Sequence, residues 1–150
     1  MALLTRSKMA SGIVVVGEHE FFAAMDVTIE AANIAARNIV YKGGEIIRTN
    51  AKKEFRDRQP KSVPALPTRP TERTGNLKNS IAVTSVLPTG KGMWVSETGP
   101  AFGPAIQYAK YVETGTSRSR PYPYMRPGFD KSIKEITILA MEEWRIALES

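Results

Sequence analysis

The chain has 150 residues, 42% of them hydrophobic and 24% charged, with 21 Lys/Arg against 15 Asp/Glu and no cysteine. This size and balance predict a single domain over residues 1–150 with a substantial core. They exclude a disulfide scaffold, a thiolate metal site and a cysteine nucleophile. The apolar runs are too short for a membrane span or a signal peptide, so no membrane partner is expected.

The positive charge is concentrated in the middle of the chain. Residues 61–127 carry nine Lys/Arg against three Asp/Glu, whereas residues 128–150 carry three against five. Such an excess indicates either a solvated surface that favours solubility or a face turned toward nucleic acid or an acidic partner.

The N-terminal third predicts a flexible arm (1–11), a short strand (13–16) and a long helix (18–58). The strand is the β-branched run Ile-Val-Val-Val. The helix follows from apolar or small residues at steps of three and four, namely Phe22, Met25, Ile29, Ala32, Ala36, Ile39, Gly43 and Ile46. The adjacent Gly43 and Gly44 could bend the helix or let a neighbour approach closely. A kinked helix is favoured, and two helices are the alternative.

The remainder predicts a proline-rich extended loop, a helical turn, three strands and a final helix. Residues 59–73 contain four of the ten prolines and form the loop, and residues 74–78 form the helical turn. Strands 80–87 and 93–97 make a hairpin around a turn at 88–92, and the third strand covers about 106–113. The last helix runs from Pro127 to about Leu148. Its expected apolar stripe is Phe129, Ile133, Ile136, Ala140, Trp144 and Ala147, widened by Leu139. The predicted fold class is α+β, with both long helices packed on one face of a small, mainly antiparallel sheet.

Catalysis is not expected. The single histidine, His19, lies at a helix start among glutamates, where an exposed residue is more common than a base. Residues 88–92, Pro-Thr-Gly-Lys-Gly, lack the spacing of a phosphate-binding loop and precede a strand. The paired Glu142 and Glu143 indicate a solvated helix face. We therefore predict no catalytic residue, no metal site and no cofactor.

A binding role is better supported. Between residues 118 and 126, three arginines alternate with two tyrosines in a proline-stiffened segment. Arg and Tyr are favoured at interfaces, and proline lowers the ordering cost of docking. Tyr124 and Met125, next to the final helix, are expected to cover the core of their own subunit. Arg118 and Arg120 are expected to face an interface or a negatively charged neighbour.

Several motifs together resemble the tail-completion (neck, head–tail joining) family of long-tailed bacteriophages. They are a short strand ending at Gly17, a long helix, Thr-Gly-Asn-Leu-Lys-Asn-Ser-Ile at 74–81, Tyr-Ala-Lys-Tyr-Val-Glu-Thr-Gly-Thr at 108–116, and Pro-Tyr-Pro-Tyr-Met-Arg-Pro at 121–127. The order and spacing are more specific than any single piece. Residues 60–72 depart from the family pattern, in which the helix passes quickly to the Thr-Gly motif.

The resemblance implies a non-catalytic virion protein, one subunit of a ring, generally sixfold, between the head connector and the tail. The implied partners are other copies of the chain, head-completion or connector proteins, the tail tube or tail-terminator proteins, and DNA passing without sequence preference. The implied location is the neck of the particle, assembled in the host cytoplasm. Within such a ring we expect subunit contacts from Arg118, Arg120, Tyr122, Arg69 and Arg73, and channel charge from Lys78 and Lys91. The alternatives are a tail-terminator subunit and a free-standing basic nucleic-acid-binding protein.

Overall fold

A computed structural model describes residues 7–8, 14–15, 18–55, 70, 75–90 and 92–149. Its helices are α1 (Glu18–Lys53), α2 (Asn76–Ser80), α3 (Ala105–Thr114) and α4 (Met125–Glu149). Its strands are β1 (Ser7–Lys8), β2 (Val14–Val15), β3 (Ile81–Val83), β4 (Leu87–Gly90), β5 (Met93–Val95) and β6 (Thr98–Pro100). The pairing is antiparallel throughout this part of the chain. The α+β class predicted from the sequence is confirmed.

The N-terminal elements follow the prediction with small differences. β2 lies inside the predicted strand and pairs with β1, which falls within the expected arm. α1 is a single continuous helix over 36 residues, so the two-helix alternative is wrong. At 1.5 Å per residue it is roughly 54 Å long.

Gly43 and Gly44 mark the place where two other parts of the fold meet α1. A Cβ at Gly43 would lie 3.7 Å from the side chain of Ile136 on α4. A Cβ at Gly44 would lie 2.7 Å from Cγ1 of Val83 on β3, and Thr98 Oγ1 on β6 donates to the Gly44 carbonyl at 3.4 Å. Gly44 therefore permits the close approach that the sequence suggested, whereas Gly43 has room for a methyl group.

The predicted hairpin is present and is longer than expected, and the predicted turn at 88–92 is wrong at 88–90, because these residues belong to β4. β4 pairs with β5, and β3 pairs with β6, so two chain segments form one ribbon beside α1. Between the two pairings, the Thr84 N–H donates to the Glu97 carbonyl at 2.8 Å, and the Glu97 N–H donates to Thr84 Oγ1 at 2.8 Å. Side-chain and backbone bonds thus bridge the gap between the two pairs of strands.

The third predicted strand, 106–113, is wrong because these residues form α3. Ala105 and Ala109 are buried and Val112 packs beside them, a spacing of four and three residues that matches a helix. Pro104, with φ of −65°, precedes the first turn, where the missing N–H has no helical role. Tyrosine and valine favour strands, but here the helical spacing of the buried residues prevails.

The final helix begins two residues before Pro127 and runs antiparallel along α1. Gly128 is the point of closest approach, since a Cβ there would lie 2.6 Å from the Ala51 backbone. The residues that α4 buries completely are therefore small, Gly128 and Ser132. Phe129 and Ile133, predicted to be core, are each 49% exposed. Trp144, also predicted on the stripe, is 41% exposed. The predicted stripe is therefore correct at Ile136, which meets Gly43, and wrong at these three positions.

The core lies where the C-terminal end of α1 meets α2, α3 and the start of α4. It consists of Ala51, Phe55, Leu77, Ile81, Ala105, Ala109 and Tyr124, with Val112 and Met125 packed against it. The rings of Phe55 and Tyr124 are 4.9 Å apart between centroids and tilted by 53°. Among the described residues, no helix combines the length and the apolar character needed to cross a bilayer.

Candidate assembly interface

Glu113, in the last turn of α3, holds the start of α4. Its carboxylate accepts three backbone N–H groups, from Tyr124 at 2.8 Å, Met125 at 3.0 Å and Arg126 at 3.0 Å. N–H groups in the first turn of a helix have no intrahelical acceptor. A carboxylate at this end satisfies them and interacts favourably with the helix dipole. Glu113 therefore ties α3 to α4 across the segment between them.

That segment turns sharply at Gly115. Gly115 has φ of +76°, and a Cβ there would lie 2.8 Å from the nitrogen of Pro121 and 2.9 Å from the Ser119 carbonyl. Only glycine fits both constraints without strain. The Gly115 N–H donates to the Tyr111 carbonyl at 2.9 Å, and the Tyr122 N–H donates to the Val112 carbonyl at 2.8 Å. The segment therefore leaves α3 and returns to it.

Residues 116–120, which we call the arginine turn, are held by their own hydrogen bonds. The backbones of Thr116 and Ser119 exchange bonds of 2.8 and 3.3 Å. Thr116 Oγ1 accepts the N–H groups of Arg118 at 3.2 Å and Ser119 at 3.1 Å. All five residues are exposed, and neither Arg118 nor Arg120 forms an ion pair with any described residue. Two predicted interface residues are thus presented together on a rigid turn.

The aromatic residues after the turn face their own subunit to different degrees. Tyr124 is 1% exposed and Met125 packs against the core, so both cover their own subunit, as predicted. Burial raises the pKa of the Tyr124 hydroxyl, and the charge of Glu113 and the neighbouring Tyr108 raise it further. Tyr122 is half-buried, which leaves only part of its ring for a partner.

An open cleft of about 310 Å³ lies between α3, β6 and the start of α4, next to the arginine turn. Its apolar lining comes from Pro100, Ile106, Ala109, Tyr124 and Met125, and its polar lining from Lys110 and Glu113. Ile106 is 50% exposed. Because the oxygens of Glu113 are engaged by the α4 backbone, Lys110 is the cleft's available charged group. The cleft could not be predicted from the sequence because it depends on α3 being a helix.

The remaining predicted site residues are dispersed. Lys78 lies on α2, half-buried, near Lys52 and Arg48 at the C-terminal end of α1. Burial lowers the pKa of the Lys52 ammonium, and the charges of Arg48 and Lys78 lower it further. Lys78, Lys52 and Arg48 therefore lie close together, with Glu45 among them and paired with Arg48 at 2.6 Å. The sequence did not indicate this group. Arg69, Arg73 and Lys91, with most of the 59–73 loop, lie outside the described residues.

The described surface is unusually apolar. Eight hydrophobic residues are buried, and four of these are alanines, whereas twenty large hydrophobic residues are exposed. The exposed residues occur on α1, the ribbon, α3 and α4, and include Met25, Ile29, Met93, Tyr111, Ile138, Met141 and Leu148. Monomeric proteins rarely leave large contiguous apolar areas in water. Exposed apolar side chains of this number on the described residues are compatible with contacts to other molecules.

Comparisons with known protein families, with curated proteins and with solved structures find no match. Within the described part of the chain, no group of three or more His, Asp or Glu side chains is placed to hold a metal ion. The arrangement of residues around the arginine turn and the cleft presents charge and apolar area on a rigid support, which suits binding to another macromolecule.

Proposed function

We propose that the chain is a structural virion protein, one subunit of a ring, generally sixfold, in the neck of a long-tailed bacteriophage. In this role it joins the head connector to the tail and surrounds the DNA channel. Its partners are copies of itself, connector or head-completion proteins, and the tail tube or tail-terminator proteins.

The observation that carries the proposal is the imbalance between the small core and the large exposed apolar surface. Among the described residues, four of the eight buried hydrophobic residues are alanines, which contribute little apolar area each. Leu148 and Met141 on α4 are 76% and 69% exposed, and Val27 on α1 is 66% exposed. Burial of such residues between subunits would add stabilisation to the assembly. This surface supports the proposal of a homo-oligomer.

The kind of assembly is suggested by the motif resemblance, and the structure gives its residues physical roles. The glutamate of Tyr-Val-Glu caps α4, the following glycine makes the sharp turn, and the Pro-Tyr-Pro-Tyr segment returns the chain to the core. What these motifs build together is the exposed arginine turn. A turn of this kind on a ring subunit can contact a neighbouring subunit, a connector protein or DNA phosphates.

Two groups of cations could line the DNA channel, the arginine turn and the group of Arg48, Lys52 and Lys78. Phosphate contacts carry no sequence information, so such charge would hold DNA without selecting a sequence. Each tight phosphate contact also slows passage. The dispersed arrangement of these cations suits a channel better than a groove-reading element.

The experiment is deletion of this gene in a phage that carries it, followed by electron microscopy of the particles. For a neck subunit we expect DNA-filled heads and finished tails that do not join, with joining restored by the gene in trans. For a tail-terminator subunit, tails of uncontrolled length would appear instead. Normal infectious particles would contradict both forms of the proposal and favour the free-standing nucleic-acid-binding protein.

The arginine turn is tested by complementing the deletion with Arg118→Ala/Arg120→Ala. We expect fewer DNA-filled, tailed particles, because the turn supplies charge to an interface or to DNA. The matched control is Lys134→Ala/Arg145→Ala, which removes two exposed cations from α4. Equal yields from the two variants would leave the arginine turn with a role in solubility only.

A further inference from the structure

The N-terminal part of α1 extends beyond the level that α4 and the ribbon reach. α4 pairs antiparallel with α1 through Gly128 at Ala51 and Glu143 at Lys42, so its last residue, Glu149, reaches the level of about residue 30. The tip of the ribbon reaches α1 at Asn33, whose side chain approaches Gly92. Residues 22–30 are exposed without exception. We call residues 18–30 the projecting segment; it is roughly 20 Å long.

The projecting segment combines an apolar row with an acidic row. Met25 and Ile29 are one turn apart, 42% and 53% exposed, and continue the face that α4 covers farther along. Asp26 and Glu30 form a parallel row beside them, and neither makes an ion pair with a described residue. Residues 18–36 contain four carboxylates and no Lys or Arg, in a chain of net charge +6.

The apolar row and the acidic row together restrict which kind of partner can bind the projecting segment. Nucleic acid and anionic lipid surfaces would be repelled by the acidic row. A protein surface with an apolar depression and a cationic rim would satisfy both rows at once. The chain itself carries such a surface at its other end. The cleft is lined by Ile106, Lys110 and Met125, and Arg126, the residue that follows Met125 in the chain, is exposed.

We infer that the projecting segment of one subunit docks into the cleft of the next, with Met25 and Ile29 on the apolar lining and Asp26 and Glu30 against the cationic rim. This inference rests on the proposed assembly and identifies its subunit contact. The two surfaces lie at opposite ends of α1, roughly 40 Å apart at 1.5 Å per residue. They therefore cannot meet within one molecule. A contact between different surfaces is heterologous, and it generates a ring when the rotation closes.

The first test uses the absence of cysteine from the chain. Single variants Met25→Cys and Ile106→Cys are mixed at high protein concentration and treated with a short bismaleimide. We expect a cross-linked dimer of the two variants in large excess over the control pair, Met25→Cys with Leu87→Cys. Leu87 is 59% exposed on the ribbon, so its cysteine would be equally reactive without lying in the cleft. Equal yields from both pairs would overturn the inference.

The second test exchanges the charges. Asp26→Lys/Glu30→Lys and Lys110→Glu/Arg126→Glu, each built on the cysteine variants, should each lower the cross-link yield about tenfold alone, because like charges then face each other. Combining the two changes should restore the yield. Asp130→Lys/Glu142→Lys makes the same change in net charge on α4 and should leave the yield unchanged. Loss of yield that the combined variant does not restore would overturn the pairing of these two surfaces.

Different experimental results would contradict the neck assignment and the subunit contact. If deletion leaves heads and tails unjoined but cross-linking shows no preference, the neck assignment stands and this contact is wrong. If cross-linking and charge exchange succeed but deletion leaves normal particles, the contact is real and belongs to an assembly outside the neck.

Discussion

The bond between Glu113 and the start of α4 should be a main determinant of the stability of the site. Glu113→Gln keeps one acceptor oxygen, but it places an amide NH₂ toward one or two backbone N–H groups and removes the charge that favours the helix N-terminus. Loss of an N-cap is worth about 1 kcal/mol, and a hydrogen bond to a charged group about 1.5–3 kcal/mol. We expect Glu113→Gln to lower the free energy of unfolding by about 1–2 kcal/mol and Glu113→Ala by about 2–4 kcal/mol. For a chain of this length, 1 kcal/mol corresponds to about 2–4 °C in Tm.

Urea denaturation followed by circular dichroism measures this change, at a protein concentration where the chain does not associate. The control is Glu97→Gln, the same chemical change on an exposed side chain of the ribbon, and it should have little effect. An unfolding free energy for Glu113→Gln equal to that of Glu97→Gln would refute the capping role. Reduced stability with an unchanged slope against urea would show that the folded state, not the denatured state, is affected.

Replacing each of two helical glycines by alanine should change the free energy of unfolding in opposite directions. Gly128→Ala should destabilise by about 1–3 kcal/mol because its Cβ would meet the backbone of Ala51, whereas Gly43→Ala, with room for a methyl group, should stabilise by about 0.5–1 kcal/mol. Urea denaturation of both variants checks this, and the same sign for both would contradict the close approach at Gly128. Separately, hydrogen bonds, led by the one from Lys42, hold the pKa of the Glu143 carboxyl below its ordinary value of 4.5. Above that pH the carboxylate contributes its full stabilisation, and the contribution is lost as pH falls through the folded-state pKa, because the unfolded chain binds the proton first. Stability measured between about pH 5 and pH 3 should therefore fall more steeply for the wild type than for Glu143→Gln; parallel curves would be inconsistent with this linkage.

Where the sequence predicted the fold correctly, the signal was a pattern long enough to be unambiguous. α1 repeats its apolar spacing over many turns, and the hairpin has turn residues between two runs of strand-forming residues. The segment 106–113 is short, and its tyrosines and valine suit a strand as well as a helix. Its structure is decided by which side chains reach the core, here Ala105 and Ala109, and that is a tertiary property.

The candidate interface likewise has one part that could be predicted from the sequence and one part that could not. The arginine turn was predictable because Gly115, the threonines and the prolines act on their immediate neighbours. The capping role of Glu113 was not, because its partners are 11 to 13 residues away and their positions depend on where α4 begins. The buried face of α4 was also misjudged. Periodicity ranks residues by hydrophobicity, whereas the close approach of Gly128 to α1 selects residues by size.

The arginine turn has a further consequence for how such a protein can change. Its shape depends on backbone hydrogen bonds, on the hydroxyls of Thr116 and Ser119, and on Gly115 and Pro121, whereas the side chains of Arg118 and Arg120 form no ion pair with a described residue. Substitution at these two positions should therefore change the charge that the turn presents and leave the scaffold intact. In the proposed assembly, stability and partner choice would be encoded by different residues within one short stretch, and selection could act on the second without endangering the first.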